Sequence, residues 1–326
     1  MKLSILCLSI ILCFTNQLVL AQTKTATNAA AKKKVIFDCD LGDDIDDAYA
    51  LALLLASQEE IEILGITTAY GRTRDRAELA CKMLYETGQE KIPVAVGRAT
   101  DDPWGKPAPY SEQYYYAKGF NKVKPIKQNA VDFIIENLRK YPNQVTIITV
   151  GPVQNMQDVL KKDPGALKLA KDIYAMFGSF YIGYNGSPKI DKEWNVRVDI
   201  PASKAYTSAG VPIVYAGLDV TTFVKWDEAR QKQILLRQSP LTNALVGLKT
   251  LWGYEKTPTL FDAVAVGMVL WPDLFTTKPA FMYVDDEGYT IVDAGKAPNS
   301  QIGVSIKTDE FLKRLMQVYM HQNLGR

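Results

Sequence analysis

The chain has 326 residues, with 38 lysines and arginines against 36 aspartates and glutamates, four cysteines and one histidine. That near balance excludes the basic footprint of a nucleic-acid or membrane-surface binder, and so few cysteines exclude a disulfide framework. The single histidine, His321, lies close to the C-terminus, so a Ser-His-Asp triad, a Cys-His pair and a histidine-rich zinc site all lack their base or ligand. Any catalysis must rest on carboxylates, a metal or tyrosine.

In chain order, Lys2 precedes a charge-free, mostly apolar run over residues 3–14, and Val19, Leu20 and Ala21 end in a small side chain. That pattern predicts a cleaved secretory signal over 1–21 and an exported protein, periplasmic or secreted. Residues 22–33, including Lys32 and Lys33, read as a solvated leader, and 34–326 as a single domain. The apolar run is shorter than the roughly 20 residues a membrane crossing needs, and no other segment approaches that length. Cys7 and Cys13 fall within the signal, which leaves Cys39 and Cys81.

Short β-branched runs at 35–37, 61–68, 92–96, 145–150, 173–177 and 211–216 alternate with amphipathic stretches. Strands apolar on both faces, separated by helices, predict an α/β fold with a mostly parallel central sheet flanked by helices. In such folds the site forms beyond the carboxyl ends of the strands. From about residue 238 the pattern changes to helices at 241–251 and 261–270. A small hairpin over 281–292, turning at Asp286, Glu287 and Gly288, then precedes a strand near 302–306 and a terminal helix.

The first strand runs into Asp38, Asp40, Asp43, Asp44, Asp46 and Asp47, six aspartates in ten residues. Two like charges 4 Å apart repel by about 1 kcal/mol in water and about 4 kcal/mol near a protein surface, so this crowding needs a compensating cation. Asp43 or Asp44 is explained as the cap of a helix starting near Ile45. Asp38 and Asp40 are not, because they end a buried strand where unpaired carboxylates are costly. Oxygen donors without imidazole or thiolate select a hard ion, calcium or magnesium.

At these residues the chain resembles the inosine-uridine preferring nucleoside hydrolases. Asp38-Cys39-Asp40-Leu41-Gly42-Asp43-Asp44-Ile45-Asp46-Asp47-Ala48 resembles a longer form of the acidic loop that follows the family's first strand. Ile66-Thr67-Thr68-Ala69-Tyr70-Gly71, Ile148-Thr149-Val150-Gly151-Pro152-Val153-Gln154-Asn155, Glu193-Trp194-Asn195 and Phe261-Asp262-Ala263 resemble later family segments in the same order. The resemblance implies a Rossmann-like nucleoside hydrolase fold and calcium-dependent hydrolysis of the N-glycosidic bond of a small-molecule ribonucleoside; a homodimer or homotetramer is compatible with it. It implies calcium ligands at Asp40, Asp47, the Val150 carbonyl and Asp262, with Asp40 also the general base. Asp46, Glu193, Asn195 and Asn185 would bind the ribose, and Asp38 would stand behind the ligands. For Asp262 a helix N-cap is the competing reading, for Asp46 and Asp47 an acidic first helical turn, and for Glu193 and Asn195 ordinary loop polar residues.

Two positions depart from the family. Arg72 stands where it carries an asparagine; the residue reads either as a surface ion pair with Asp75 or Glu78 or as a cation beside the substrate. Phe261 stands where pyrimidine-tolerant members carry a histidine, and an aromatic there predicts purine preference by stacking. Trp104 or one of Tyr114, Tyr115 and Tyr116 would supply a second stacking wall, although at least two of these tyrosines are expected to pack against the sheet edge. Two other readings compete: a degenerate hydrolase that binds calcium and ribose without turnover, and a haloacid-dehalogenase-type phosphatase, disfavoured by Gly42 and by acids that would repel phosphate.

Overall fold

The computed structural model describes residues 31–325, so the segment read as a signal and most of the leader lie outside it. The chain opens with β1 (Lys33–Cys39), α1 (Asp46–Ala56), β2 (Ile61–Thr68), α2 (Thr73–Glu86) and β3 (Val94–Val96). It continues through α3 (Ala130–Lys140), β4 (Val145–Thr149), α4 (Gln154–Lys162), β5 (Asp172–Met176), α5 (Trp194–Arg197), α6 (Ile200–Thr207) and β6 (Ile213–Ala216). The last part holds α7 (Leu218–Thr221), α8 (Glu228–Arg237), α9 (Pro240–Gly253), α10 (Phe261–Leu270), β7 (Phe275–Ala280), β8 (Met282–Val284), β9 (Thr290–Val292), β10 (Ser300–Ile306) and α11 (Thr308–His321).

Eight strands form one sheet in the order β3-β2-β1-β4-β5-β6-β10-β7. All neighbours are parallel except β7, which runs antiparallel to β10 at the edge. The chain winds outward from β1 to β3, then returns to place β4 on the other flank of β1. That reversal is a topological switch point, where the connecting loops diverge and leave a crevice beyond the strand ends. Asp38 pairs with Thr149 across β1 and β4 and with Thr67 across β1 and β2. Residues just past these strands, Asp40 and Val150 among them, therefore emerge side by side.

Two helices beside this crevice are unusual in their burial. Nine residues of α10, Asp262 to Leu270, and ten residues of α1, Asp46 to Leu55, are buried. A helix apolar on every face has no solvated side and must sit inside the protein, and α1 and α10 pack on each other. Their N-terminal turns carry Asp46, Asp47 and Asp262, so packing of apolar helices is what gathers acids from residues far apart in sequence.

The alternating pattern predicted this parallel sheet, and β8 with β9 form the expected hairpin as a separate two-stranded sheet. Three boundaries differ. β3 and β6 begin at Val94 and Ile213, each just after a proline that can donate no ladder hydrogen bond. β7 has no counterpart among the elements expected from the sequence, because its middle residues, Thr276 to Pro279, are exposed and include Lys278 and Pro279. Those residues protect a sheet edge from further pairing rather than filling a core.

Candidate active site

The acidic loop leaves β1 and turns through Gly42, whose φ of 103° suits glycine. Asp38 is fully buried beneath it. Its Oδ1 accepts from Thr67 Oγ1 at 2.5 Å and Asn155 Nδ2 at 2.6 Å, while Oδ2 has no partner. Burial raises its pKa to about 6 against those two hydrogen bonds. Asp38 thus supports the loop from behind.

Asp40, Asp46, Asp47 and Asp262 are between 2% and 5% exposed. Carboxylate oxygens of Asp46, Asp47 and Asp262 lie within 4.8 Å of one another, the one such acidic group among the described residues. Asp47 Oδ1 accepts from the Asp40 backbone N–H at 3.2 Å, and Asp46 Oδ2 from that of Asp262 at 3.1 Å. Burial, reinforced by repulsion between these acids, pushes Asp46, Asp47 and Asp262 well above the usual carboxylate range and Asp40 up to about 7. The expected capping role of Asp43 or Asp44 is corrected here. Ile45 occupies the N-cap of α1 without a side-chain cap bond, and Asp44 Oδ1 accepts only the adjacent Ile45 N–H at 2.6 Å. Asp262 does not cap α10 either; the N-cap is Leu260, and the Asp262 side chain instead faces Asp46 and Asp47.

On the β4 side, Gly151 lies so close to the loop that a Cβ there would come within 2.6 Å of Asp40 Oδ1. The Val150 carbonyl accepts from Asn195 Nδ2 at 2.8 Å, and the same amide donates to the Met176 carbonyl at 3.0 Å. Those bonds orient Asn195 with its Oδ1 left for a ligand. Glu193 caps α5, Oε1 accepting from Asn195 N–H at 2.9 Å and Oε2 from Gly178 N–H at 3.0 Å. Burial raises Glu193 to about 7 despite these bonds.

All of these acids except Asp38 border a cavity of about 300 Å³, together with Val150, Met176, Asn195, Tyr184, Trp194, Trp252 and Phe261. The Phe261 and Tyr184 rings meet edge to face with centroids 6.0 Å apart. The cavity therefore has an acidic floor and an aromatic wall, a shape that suits a polar sugar joined to a flat heterocycle.

Asn185 and Arg72 are not among its lining residues. Asn185 sits at φ 57° with its N–H on Thr222 Oγ1 at 2.8 Å. Arg72 pairs with Asp75 at 2.5 Å and lies over the Tyr110 ring, bordering a separate cleft, while Glu78 pairs with Arg74. The residues expected to supply a second stacking wall do not line this cavity. Trp104 is 69% exposed beside that other cleft, Tyr114 is buried, Tyr115 is half exposed, and Tyr116 bonds Glu86. The aromatic residues beside Phe261 in the cavity lining are Tyr184, Trp194 and Trp252. Sequence reading missed them because nothing local distinguishes a cavity aromatic from a packed one. It also missed Arg76, buried beneath the acidic loop; the one available signal was its place three positions before Leu79 and four before Ala80, on the apolar side of α2.

A doubly wound sheet with buried carboxylates at its switch point defines an oxygen-ligand site of the kind used by metal-dependent hydrolases. Residues 35–313 match the family model described as inosine-uridine preferring nucleoside hydrolase, and the chain belongs to that family of N-glycosyl hydrolases. It is 29% identical over 310 residues to the pyrimidine-specific ribonucleoside hydrolase RihA of Citrobacter koseri, covering 87% of this chain and 96% of that protein. It is 28% identical over 285 residues to uridine nucleosidase 1 of Arabidopsis thaliana, covering 81% and 82%. The solved purine-preferring ribonucleoside hydrolase from Gardnerella vaginalis superposes with a TM-score of 0.75 at 25% identity, covering 88% of this chain and 98% of that one. Membership of this family removes the phosphatase reading.

Proposed function

We propose that this protein hydrolyses the N-glycosidic bond of ribonucleosides with one calcium ion, favouring purine nucleosides. The observation that carries the metal reading is the trio Asp46, Asp47 and Asp262, three buried carboxylates within 4.8 Å of one another. Such a group is costly unless a cation offsets the repulsion, and an all-oxygen donor set fits a hard divalent ion. Asp47 and Asp262 would hold the ion, with the Val150 carbonyl and Asp40 or Asp46 completing the protein's share. When bound, calcium polarises water and the ribose diol and lowers the pKa of that water.

The residues divide the remaining work. Asp40 takes the proton of the attacking water, since its carboxyl borders the cavity beside the acid trio that would hold the ion. The water oxygen bonds to the sugar's anomeric carbon as the C–N bond breaks, and the base leaves with the electron pair and gains a proton from solvent. Asn195 Oδ1 and Glu193 accept from ribose hydroxyls. Residual negative charge on the floor favours the oxocarbenium-like sugar of the transition state.

Base preference rests on the wall. Phe261 presents an aromatic face braced by Tyr184, and a fused bicycle gains more from stacking than a single ring. The non-catalytic alternative loses one of its supports, because Arg72 is tied to Asp75 away from the cavity. Release of free ribose from inosine, adenosine, guanosine, uridine and cytidine tests the proposal. Faster purine cleavage is expected; equal rates on uridine would assign an acid to the wall, Tyr184 being the nearest candidate, and overturn the preference. We further propose export, on the segment from Lys2 to Ala21, which N-terminal sequencing of the mature protein checks.

A further inference from the structure

Arg76 is 3% exposed, yet its guanidinium meets main-chain oxygens rather than a close carboxylate. Nη1 donates to the carbonyls of Asp40 and, at 3.2 Å, Leu41; Nε donates to the Tyr70 carbonyl at 2.8 Å. Its nearest acid, Asp43 Oδ2, is 3.8 Å from Nη2. One side chain from the first turns of α2 therefore ties the loop after β1 to the loop after β2.

Both loops need holding. The acidic loop carries the charges that repel, and Gly151 presses on Asp40 from the other flank. Tyr70 sits at φ 59°, a left-handed conformation that is strained for a bulky side chain and persists only when its surroundings fix it. Its ring meets Trp194 edge to face at 6.1 Å, and Trp194 lines the cavity between Glu193 and Asn195. The Arg76 fork thus grips the backbone of Asp40 directly and the Trp194 side of the cavity through Tyr70.

We propose that Arg76 is a positioning residue for hydrolysis: its planar fork, not its charge alone, fixes the Asp40 carboxyl in the direction from which it takes the water proton. The inference rests on Asp40 as the base. A lysine retains the charge and most of the stem but cannot bridge three carbonyls with fixed geometry. Misplacing a reacting group by about 1 Å costs on the order of a hundredfold in rate.

The test compares Arg76→Lys and Arg76→Met with wild type by steady-state ribose release, calcium titration and thermal melting. Positioning predicts that Arg76→Lys folds, binds calcium within about threefold of wild type, holds KM within about threefold, and loses about tenfold to a hundredfold in kcat. Arg76→Met should lose at least as much; should it fail to fold, Arg76→Lys carries the test. Wild-type kcat in Arg76→Lys would assign Arg76 to charge screening and overturn the proposal, as would an Arg76→Lys that cannot fold. An inactive wild type, or an active Asp40→Asn, would instead show that the functional reading itself has failed.

Discussion

Asp40, Asp46, Asp47 and Asp262 hang from a strand end or the first turns of buried helices and are between 2% and 5% exposed, whereas Phe261, Tyr184 and Trp252 are only half-buried, Phe261 opening α10, Trp252 ending α9 and Tyr184 in the connection between β5 and α5. Moving a floor acid would require shifting β1, α1 or α10, each packed on all sides. Tyr184 and Trp252 can move with the connections around Gly183 and between α9 and α10, whereas Phe261 shares its helix turn with Asp262. On the proposed function, chemistry would be held by the buried frame of β1, α1 and α10, and base choice in part by loops that can change without disturbing that frame. The relatives fit that division, since proteins described as pyrimidine-specific and as purine-preferring both match this chain over most of its length.

The sharpest way to break the comparison is at the floor. Asp40→Asn should lower kcat by about 10²–10⁴ while leaving the melting temperature near wild type, because the proton acceptor is lost while an amide oxygen and the shape of the side chain are kept. An active Asp40→Asn would move the base elsewhere. A smaller effect is expected on the sugar. A 2′-deoxyribonucleoside leaves buried acceptors of the floor unpaired, so its kcat/KM should fall about tenfold to a hundredfold below that of the ribonucleoside. Equal rates would remove the diol from the arrangement.

The wall predicts less. Phe261→Ala should reduce kcat/KM for inosine by roughly two- to tenfold, the equivalent of about 0.5–1.5 kcal/mol of aromatic stacking, and barely change uridine. Equal losses on both would make Phe261 a packing residue. The smallest effect concerns pH. In metal-free protein Asp40 and Glu193 are raised to about 7 and Asp38 to about 6, from ordinary values near 4. The fold then binds more protons than the unfolded chain between about pH 4 and pH 7, so its stability is greatest below that window and lost as pH rises through it. Metal-stripped protein should melt a few degrees lower at pH 8 than at pH 5, given roughly 2–4 °C per kcal/mol in a large domain. Calcium should reverse the drop, and a melting temperature that rises with pH without metal would contradict the account.

Much of the floor was legible because charge density announces itself: six aspartates at a strand end have no comfortable arrangement without a cation. Asp262 was legible only through the order of motifs, since a lone acid before an apolar helix also reads as a cap. The meeting of Asp46 with Asp47 and Asp262 was not legible, because it depends on how α1 and α10 pack. Arg72 and Arg76 make the same point from the opposite side. They stand four residues apart at the start of α2, yet one pairs at the surface and the other is buried under the acidic loop. Local sequence does not say which face of a helix turns inward when its apolar pattern is weak. The wall aromatics and β7 were hidden for related reasons, as a cavity ring resembles a core ring and an edge strand resembles a loop.

On the proposed function, the acid trio at the switch point serves catalysis through a bound calcium ion. The most direct test is ribose release from inosine by protein stripped with chelator, then supplemented with calcium, in parallel with elemental analysis of the purified protein. The account predicts about one calcium per chain as isolated, loss of turnover on stripping, and recovery on calcium return. Full turnover in excess chelator, with no metal bound, would contradict it.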